Sequence, residues 1–233
     1  MKRLISLGLW GVGILFFLVS FAILVVCLMI LPREKTFSIA QGLFAILIKL
    51  MGIRLIVRGK EHIRQDQTYL IMGNHQSLFD IFVIPCAIPL CFTGIEAAYH
   101  FSLPVWGYLI RKWGVIPIER NNLEKAKQSL EQARQTLLSG LSIAVLPEGH
   151  RTRNGQISPF KKGPFHLAKN TQAHILPFGI KGLFEFQQKG SWDLKPGIVR
   201  VCIGKPISPL EYRDMSVEAL RERVFAEILR LSR

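Results

Sequence analysis

From Leu4 to Leu31 the chain runs without a single charged residue, and this stretch limits the folds open to it more than any other feature. As a helix rising roughly 1.5 Å per residue it would be about 42 Å long, against a hydrocarbon core of about 30 Å. Such a segment belongs in a membrane. Lys2 and Arg3 resemble the start of a secretory signal, but the apolar run is about twice the usual length and no A-x-A site follows it. After Pro32-Arg33-Glu34-Lys35 comes a second apolar stretch, Phe37 to Ile53, interrupted by Gln41 and Lys49. It sits at the lower limit for spanning, so a hairpin of two membrane helices and a single span followed by a core helix are both open. Lys or Arg brackets the first segment on both sides, and the positive-inside bias therefore assigns no orientation.

Composition narrows the partners. Thirty Lys and Arg face 16 Asp and Glu, a formal charge of +14, which favours anionic partners: phospholipid head groups, phosphorylated substrates or nucleic acid. Nucleic acid is disfavoured because no basic helix or aromatic-plus-basic strand motif appears and the chain is anchored in lipid. The four cysteines, Cys27, Cys86, Cys91 and Cys202, form no C-x-x-C and sit beside no histidine cluster. They are read as reduced, buried thiols, and no metal site is expected.

Beyond residue 52 the pattern changes to alternating strand-like and helix-like segments, which predicts an anchor over 1–52 and one α/β domain over 53–233. Ile53–Val57, Thr68–Met72, Ile143–Leu146, His174–Ile180 and Ile198–Ile203 read as strands, with Phe92–Ala97 and Val115–Ile118 as weaker candidates. Leu123–Ser139 carries Leu123, Ala126, Leu130, Ala133 and Leu137 on one face, with Asn121 or Asn122 as N-cap and Gly140 as terminator. Val217–Leu231 starts after Ser216, and Ile81–Leu90 and Leu103–Trp113 are further helical candidates. The alternation predicts a layer sandwich with helices packed on a mixed sheet.

Chemistry gathers where the strands end. Thr68–Met72 runs into Gly73-Asn74-His75-Gln76-Ser77-Leu78-Phe79-Asp80. This leaves His75 at a strand-to-helix turn, with Asp80 able to fix its tautomer and free the other nitrogen as a base. Read alone, the pair also suits a histidine capping a turn and an aspartate at a helix N-terminus. Ile143–Leu146 leads into Pro147-Glu148-Gly149-His150-Arg151-Thr152-Arg153, followed by Phe160-Lys161-Lys162-Gly163. Arginine forks and glycine at a strand's carboxyl end suit a phosphate cradle, and equally a solvated face. Arg120, before the capped helix, is a further basic candidate. No G-x-S-x-G elbow, H-E-x-x-H, Walker A or G-x-G-x-x-G motif is present. Gly8, Gly11 and Gly13 lie inside the membrane segment and are read as helix-packing residues. A His-Asp pair without its own nucleophile implies that the nucleophile arrives with the substrate; Ser77 and Cys86 have no neighbouring elbow or base motif.

From about Ile53 to Ile207 the chain resembles the 1-acyl-sn-glycerol-3-phosphate acyltransferases. His75 and Asp80 fall on that family's N-H-x-x-x-x-D motif, Gly114–Arg120 on G-x-I-x-I-x-R, and Glu148-Gly149 with Arg151 on E-G-T-R. Ile175-Leu176-Pro177-Phe178-Gly179-Ile180 matches the fourth block. The resemblance implies the glycerolipid acyltransferase fold and transfer of a fatty acyl group from acyl-coenzyme A or acyl carrier protein to the sn-2 hydroxyl of lysophosphatidate. In that scheme His75 is the general base, Asp80 orients it, and Arg120, Glu148, Gly149 and Arg151 hold the glycerol phosphate, with Glu148 ordering the loop or the glycerol end. No cofactor or metal is implied, the thioester being a co-substrate. The partners are the acceptor lipid, the donor and an anionic phospholipid surface, and the thioester donor places the site on the cytoplasmic face of a cell inner membrane.

Two positions depart from the family pattern. His150 stands where the family's threonine is usual, and Gly94–His100 lacks the lysine that members commonly carry before the Leu103-Pro104 equivalent. Another lysophospholipid with a larger head group is therefore the near alternative acceptor. A non-catalytic, membrane-tethered lipid-binding module is the alternative from a different class. His62, His100, His166 and His174 are read as packing or surface residues.

Overall fold

The computed structural model describes residues 2–119 and 122–233. Two helices open the chain, α1 (Lys2–Ile30) and α2 (Arg33–Leu50), folded back on each other at Pro32. The seam of α1 follows a heptad: Ser6, Gly13, Ser20 and Cys27 are buried, alternating with the larger Trp10, Phe17 and Leu24. Seven-residue spacing keeps these side chains on one stripe, and small residues let neighbouring elements approach. At Gly13 a Cβ would lie 2.3 Å from the sulfur of Met51, whereas Gly8 and Gly11 have nothing within 4 Å. Of the three glycines expected to serve packing, Gly13 does so. The opposite stripe, including Leu4, Leu7, Leu15, Met29 and Ile30, is exposed.

Among the described residues one helix, within Arg3–Ile30, is long and apolar enough to cross a membrane. The helix α2 instead buries Phe37, Leu47 and Ile48 in the main core. The second apolar stretch is therefore a core-packed helix that also partners α1. Its Gln41 amide donates to the carbonyls of Pro85 and Ile88 at 2.7 and 3.2 Å, which ties α2 to the end of the helix α3 (Asp80–Ala87).

The remaining chain builds a seven-stranded mixed sheet in the order β1-β7-β6-β2-β5-β3-β4. The strands are β1 (Ile53–Arg58), β2 (Tyr69–Gly73), β3 (Phe92–Ala97), β4 (Ile116–Ile118), β5 (Ser142–Val145), β6 (His174–Lys181) and β7 (Gly197–Ile203). The five strands from β6 to β4 run parallel; β7 is antiparallel to β6, and β1 is parallel to β7. Both weaker strand candidates are present. The central β2 is buried on both faces: Tyr69 and Ile71 enter one core, Leu70 and Met72 the other. That is the period-two consequence of a strand covered by helices on both sides.

The helices are α3 (Asp80–Ala87), α4 (Pro104–Trp113), α5 (Leu123–Leu138), α6 (Gly163–Thr171), the short α7 (Leu183–Phe186) and α8 (Pro209–Tyr212), and α9 (Val217–Leu231). On one face of the sheet lie α1, α2 and α3; α5, α6 and α9 cover the other. Asn122 caps α5 by accepting from the Lys125 amide at 3.0 Å, and Ser216 caps α9 through the Ala219 amide at 3.0 Å. The inner stripe of α9 buries Leu220, Val224 and Ile228 completely, each contributing about 1.5–3 kcal/mol. Reading the sequence missed α6, α7 and α8, and α3 begins at Asp80 itself rather than one residue later.

Candidate active site

Strand β2 ends at Gly73, where the chain passes so close to Phe178 of β6 that a Cβ would lie 2.2 Å from its ring. Only glycine allows that approach. The next four residues are pinned one by one. Asn74 extends the strand pairing with its side chain: its amide nitrogen donates to the Ile180 carbonyl at 2.9 Å, and its oxygen accepts from the Ile180 amide at 2.7 Å. Gln76 accepts from the Leu183 and Phe184 amides at the start of α7. The Ser77 hydroxyl donates to Gln187 at 2.9 Å. Between these fixed points, His75 alone keeps its side chain partly exposed.

His75 Nδ1 lies 2.6 Å from Asp80 Oδ2, and that same oxygen accepts from the amides of Gln76 at 2.8 Å and Ser77 at 3.1 Å. The Asp80 side chain is 1% exposed against 23% for His75. Three donors converging on one oxygen fix the carboxylate and assign Nδ1 as the protonated nitrogen, which leaves Nε2 as the acceptor. The other oxygen, Oδ1, is buried without a hydrogen-bond partner among the described residues.

Glu148, just past β5, is buried, and both its oxygens serve the backbone. One accepts from the His75 amide at 2.6 Å, the other from the Ser158 amide at 2.7 Å. The Thr152 amide donates in turn to the His75 carbonyl at 2.9 Å. Glu148 thus clasps the histidine turn to the loop that follows β5. Burial pushes its carboxyl above the usual range, opposed by the two amides and the neighbouring imidazole. Gly149 follows with φ +75°, a turn that L side chains rarely adopt.

Next to this turn opens a cavity of about 580 Å³. Its floor carries His75, Asp80, Gly149, His150 and Arg151; its apolar wall is made by α1 and α2, including Trp10, Gly13, Phe17, Phe44 and Met51. Of the four basic residues in the candidate phosphate cradle, Arg151 alone lines this cavity, while Lys162 pairs with Glu218 at 2.6 Å. Arg120 lies outside the described residues. Cys27 is buried but Cys86, Cys91 and Cys202 are only partly so, a correction to the expectation of four buried thiols. Burial raises the Cys86 thiol to about 12, and the Ser77 hydroxyl is engaged by Gln187, so neither is poised as a nucleophile.

His100, read from sequence as a packing or surface residue, also lines the cavity, beside Glu96. Asn74, Gln76, Thr152, Ser158 and Gln187 complete the site's framework and were missed. Their partners lie as far as 110 residues away, as between Ser77 and Gln187, beyond any local pattern.

The mixed sheet thus sets a histidine–aspartate pair just past the carboxyl end of β2, beside a cavity walled by apolar helices. The chain belongs to the acyltransferase family: the family model described as Acyltransferase matches residues 54–181. Among curated relatives, the 1-acyl-sn-glycerol-3-phosphate acyltransferase alpha of Ovis aries is 32% identical over 190 residues, covering 79% of this chain and 64% of that protein. The 1-acyl-sn-glycerol-3-phosphate acyltransferase of Limnanthes douglasii is 29% identical over 180 residues, covering 77% and 62%. The chain thus spans just under two-thirds of the length of these relatives. The fold matches the crystal structure of the 1-acyl-sn-glycerophosphate (LPA) acyltransferase PlsC from Thermotoga maritima. That match has a TM-score of 0.85 at 24% identity, over 98% of this chain and 93% of that one.

Proposed function

We propose that this chain transfers a fatty acyl group from a coenzyme A or acyl-carrier-protein thioester to the sn-2 hydroxyl of 1-acyl-sn-glycerol 3-phosphate, giving phosphatidate. The observation that carries the reading is the His75–Asp80 pair, 2.6 Å apart, at the floor of a cavity walled by apolar helices. His75 Nε2 takes the proton of the acceptor hydroxyl as the oxygen attacks the thioester carbonyl. Asp80 holds Nδ1–H and stabilises the imidazolium that forms. The thiolate leaves and the proton returns to it or to water, so no acyl-enzyme and no cofactor or metal is needed. Arg151, with Arg120, holds the acceptor phosphate through charge-assisted hydrogen bonds. Glu148 acts by ordering the turn that presents His75 and the loop that carries Gly149 and Arg151. The apolar wall receives acyl chain, at about 0.8 kcal/mol per buried methylene.

The protein works at a membrane, with the exposed stripe of α1 in lipid and the basic body against anionic head groups. A thioester donor puts the site on the cytoplasmic face, in a bacterium that of the inner membrane. The test is transfer by the purified full chain in detergent, with labelled acyl-coenzyme A or acyl carrier protein and a panel of lyso-lipids, followed by positional analysis of the product. Label at sn-2 of phosphatidate is the expected result. Acylation only of a different lysophospholipid would keep the chemistry and change the acceptor, and transfer to none would overturn the proposal.

A further inference from the structure

The cavity holds a second histidine–carboxylate pair for which the reaction scheme has no use. Glu96, near the end of β3, lies 2.7 Å from His100 Nδ1 through its Oε1 and accepts from Trp106 Nε1 at 3.1 and 3.3 Å. Two ring N–H groups from two different elements therefore fix this carboxylate. Its one ion pair among the described residues is with His100, and the two side chains are only 20% and 30% exposed. The turn that carries His100 is tied to α4. The Arg111 guanidinium donates to the Phe101 carbonyl, and α4 packs so closely that a Cβ on Gly107 would lie 2.3 Å from the same oxygen. Stability does not explain such a cluster, because a partly buried ion pair returns little more than it loses in desolvation.

Register supplies the spatial relation. Gly94 pairs with Ala144, which pairs with Ile71, so Glu96 stands level with Gly73 and both histidines lie just beyond the carboxyl ends of their parallel strands. One strand separates β3 from β2, so their ends are about 10 Å apart before either imidazole reaches inward. An acceptor whose hydroxyl meets His75 carries its phosphate four bonds away.

We infer that His100, held by Glu96, is a further head-group contact of the acceptor site in addition to Arg151 and donates from Nε2 to a phosphate oxygen of the lyso-lipid. The inference rests on the proposed acyl transfer to a phosphorylated acceptor. With Nδ1–H committed to Glu96, Nε2 is the ring atom left for a ligand, and as imidazolium it is a donor whose charge Glu96 compensates inside an apolar-walled cavity. His100 is a specificity-determining residue; Glu96 is a positioning residue.

The test is steady-state kinetics of the full chain in mixed micelles, with 1-acyl-sn-glycerol 3-phosphate and an acyl thioester varied separately. His100→Ala is expected to raise KM for the acceptor by about tenfold or more, the size of one charge-assisted hydrogen bond, with kcat and the donor KM within about twofold. His100→Lys restores a cation and recovers most of the loss. Glu96→Gln, which keeps the shape but not the charge, gives an intermediate KM. Circular dichroism on each variant separates misfolding from lost contact. An active parent whose acceptor KM is unmoved by His100→Ala, or a folded variant that loses kcat instead, overturns this inference while leaving the reaction intact. A parent that acylates no phosphorylated acceptor overturns both.

Discussion

Replacing Asp80 by Asn separates the charge of this residue from its geometry. Asp80 Oδ2 receives His75 Nδ1 at 2.6 Å and the amides of Gln76 and Ser77 at 2.8 and 3.1 Å. An asparagine amide in this position has no choice of orientation. Turning its NH₂ that way would set N–H against the backbone amides of Gln76 and Ser77 whichever tautomer His75 took, so its oxygen takes the place of Oδ2 and His75 keeps its tautomer. The NH₂ then occupies the position of Oδ1, which is already buried without a partner among the described residues. One orphaned polar group replaces another, and the melting temperature should change by no more than a few degrees. What disappears is the attraction between a carboxylate and the imidazolium formed in the transition state. At an effective dielectric of about 20, unit charges about 4 Å apart attract by about 4 kcal/mol, which corresponds to about 10³ in rate. The assay is acyl transfer to 1-acyl-sn-glycerol 3-phosphate at saturating donor, with thermal unfolding of the same preparations. A kcat reduced by about 10³ at an almost unchanged acceptor KM is expected. A folded Asp80→Asn protein within about tenfold of the parent would refute the argument.

Glu148→Gln puts an NH₂ against one of two backbone amides, His75 or Ser158; it should destabilise the protein by about 1–3 kcal/mol, seen as a lower denaturation midpoint, and slow turnover by loosening the histidine turn. Gly73→Ala drives a methyl into the Phe178 ring; a loss of about 1–3 kcal/mol is expected in the same measurement, partly relieved by adding Phe178→Leu. Because burial raises the Cys86 thiol to about 12, it is almost entirely un-ionised at neutral pH and its thiolate fraction grows only as pH climbs towards that value. Mass spectrometry after iodoacetamide at pH 7.5 should find Cys86 unmodified in protein that retains full transfer activity; rapid modification with loss of activity would reopen a thiol mechanism.

How much of this was legible in the sequence varies with the range of the interaction. The seven strands announce themselves through short apolar runs bounded by turn residues, and β2 does so most clearly because both of its faces are covered. The caps of α5 and α9 are equally local, an Asn or Ser followed three residues later by the amide it accepts from. His75 and Asp80 are five residues apart and close on each other within one turn. The helix α6 was missed because Phe160-Lys161-Lys162-Gly163 was read as a cradle, whereas Pro164 in its first turn is a helix-start signal. The framework of the site was illegible for a different reason. Asn74 meets Ile180 across 106 residues and Glu148 meets His75 across 73, contacts created by β2 lying between β5 and β6. His100 belongs to the same class: its partner Glu96 is four residues away, but only the sheet brings the pair to the cavity that holds His75.

The proposed role of His75 is that of a base on a hydroxyl supplied by a lyso-lipid. Its most direct test is kcat for acyl transfer by His75→Ala beside the parent, in protein whose circular dichroism and lipid binding are unchanged. Turnover is expected to fall by about 10²–10⁴, the usual worth of a positioned general base. A folded His75→Ala protein that still acylates the lyso-lipid at a rate near that of the parent would contradict it.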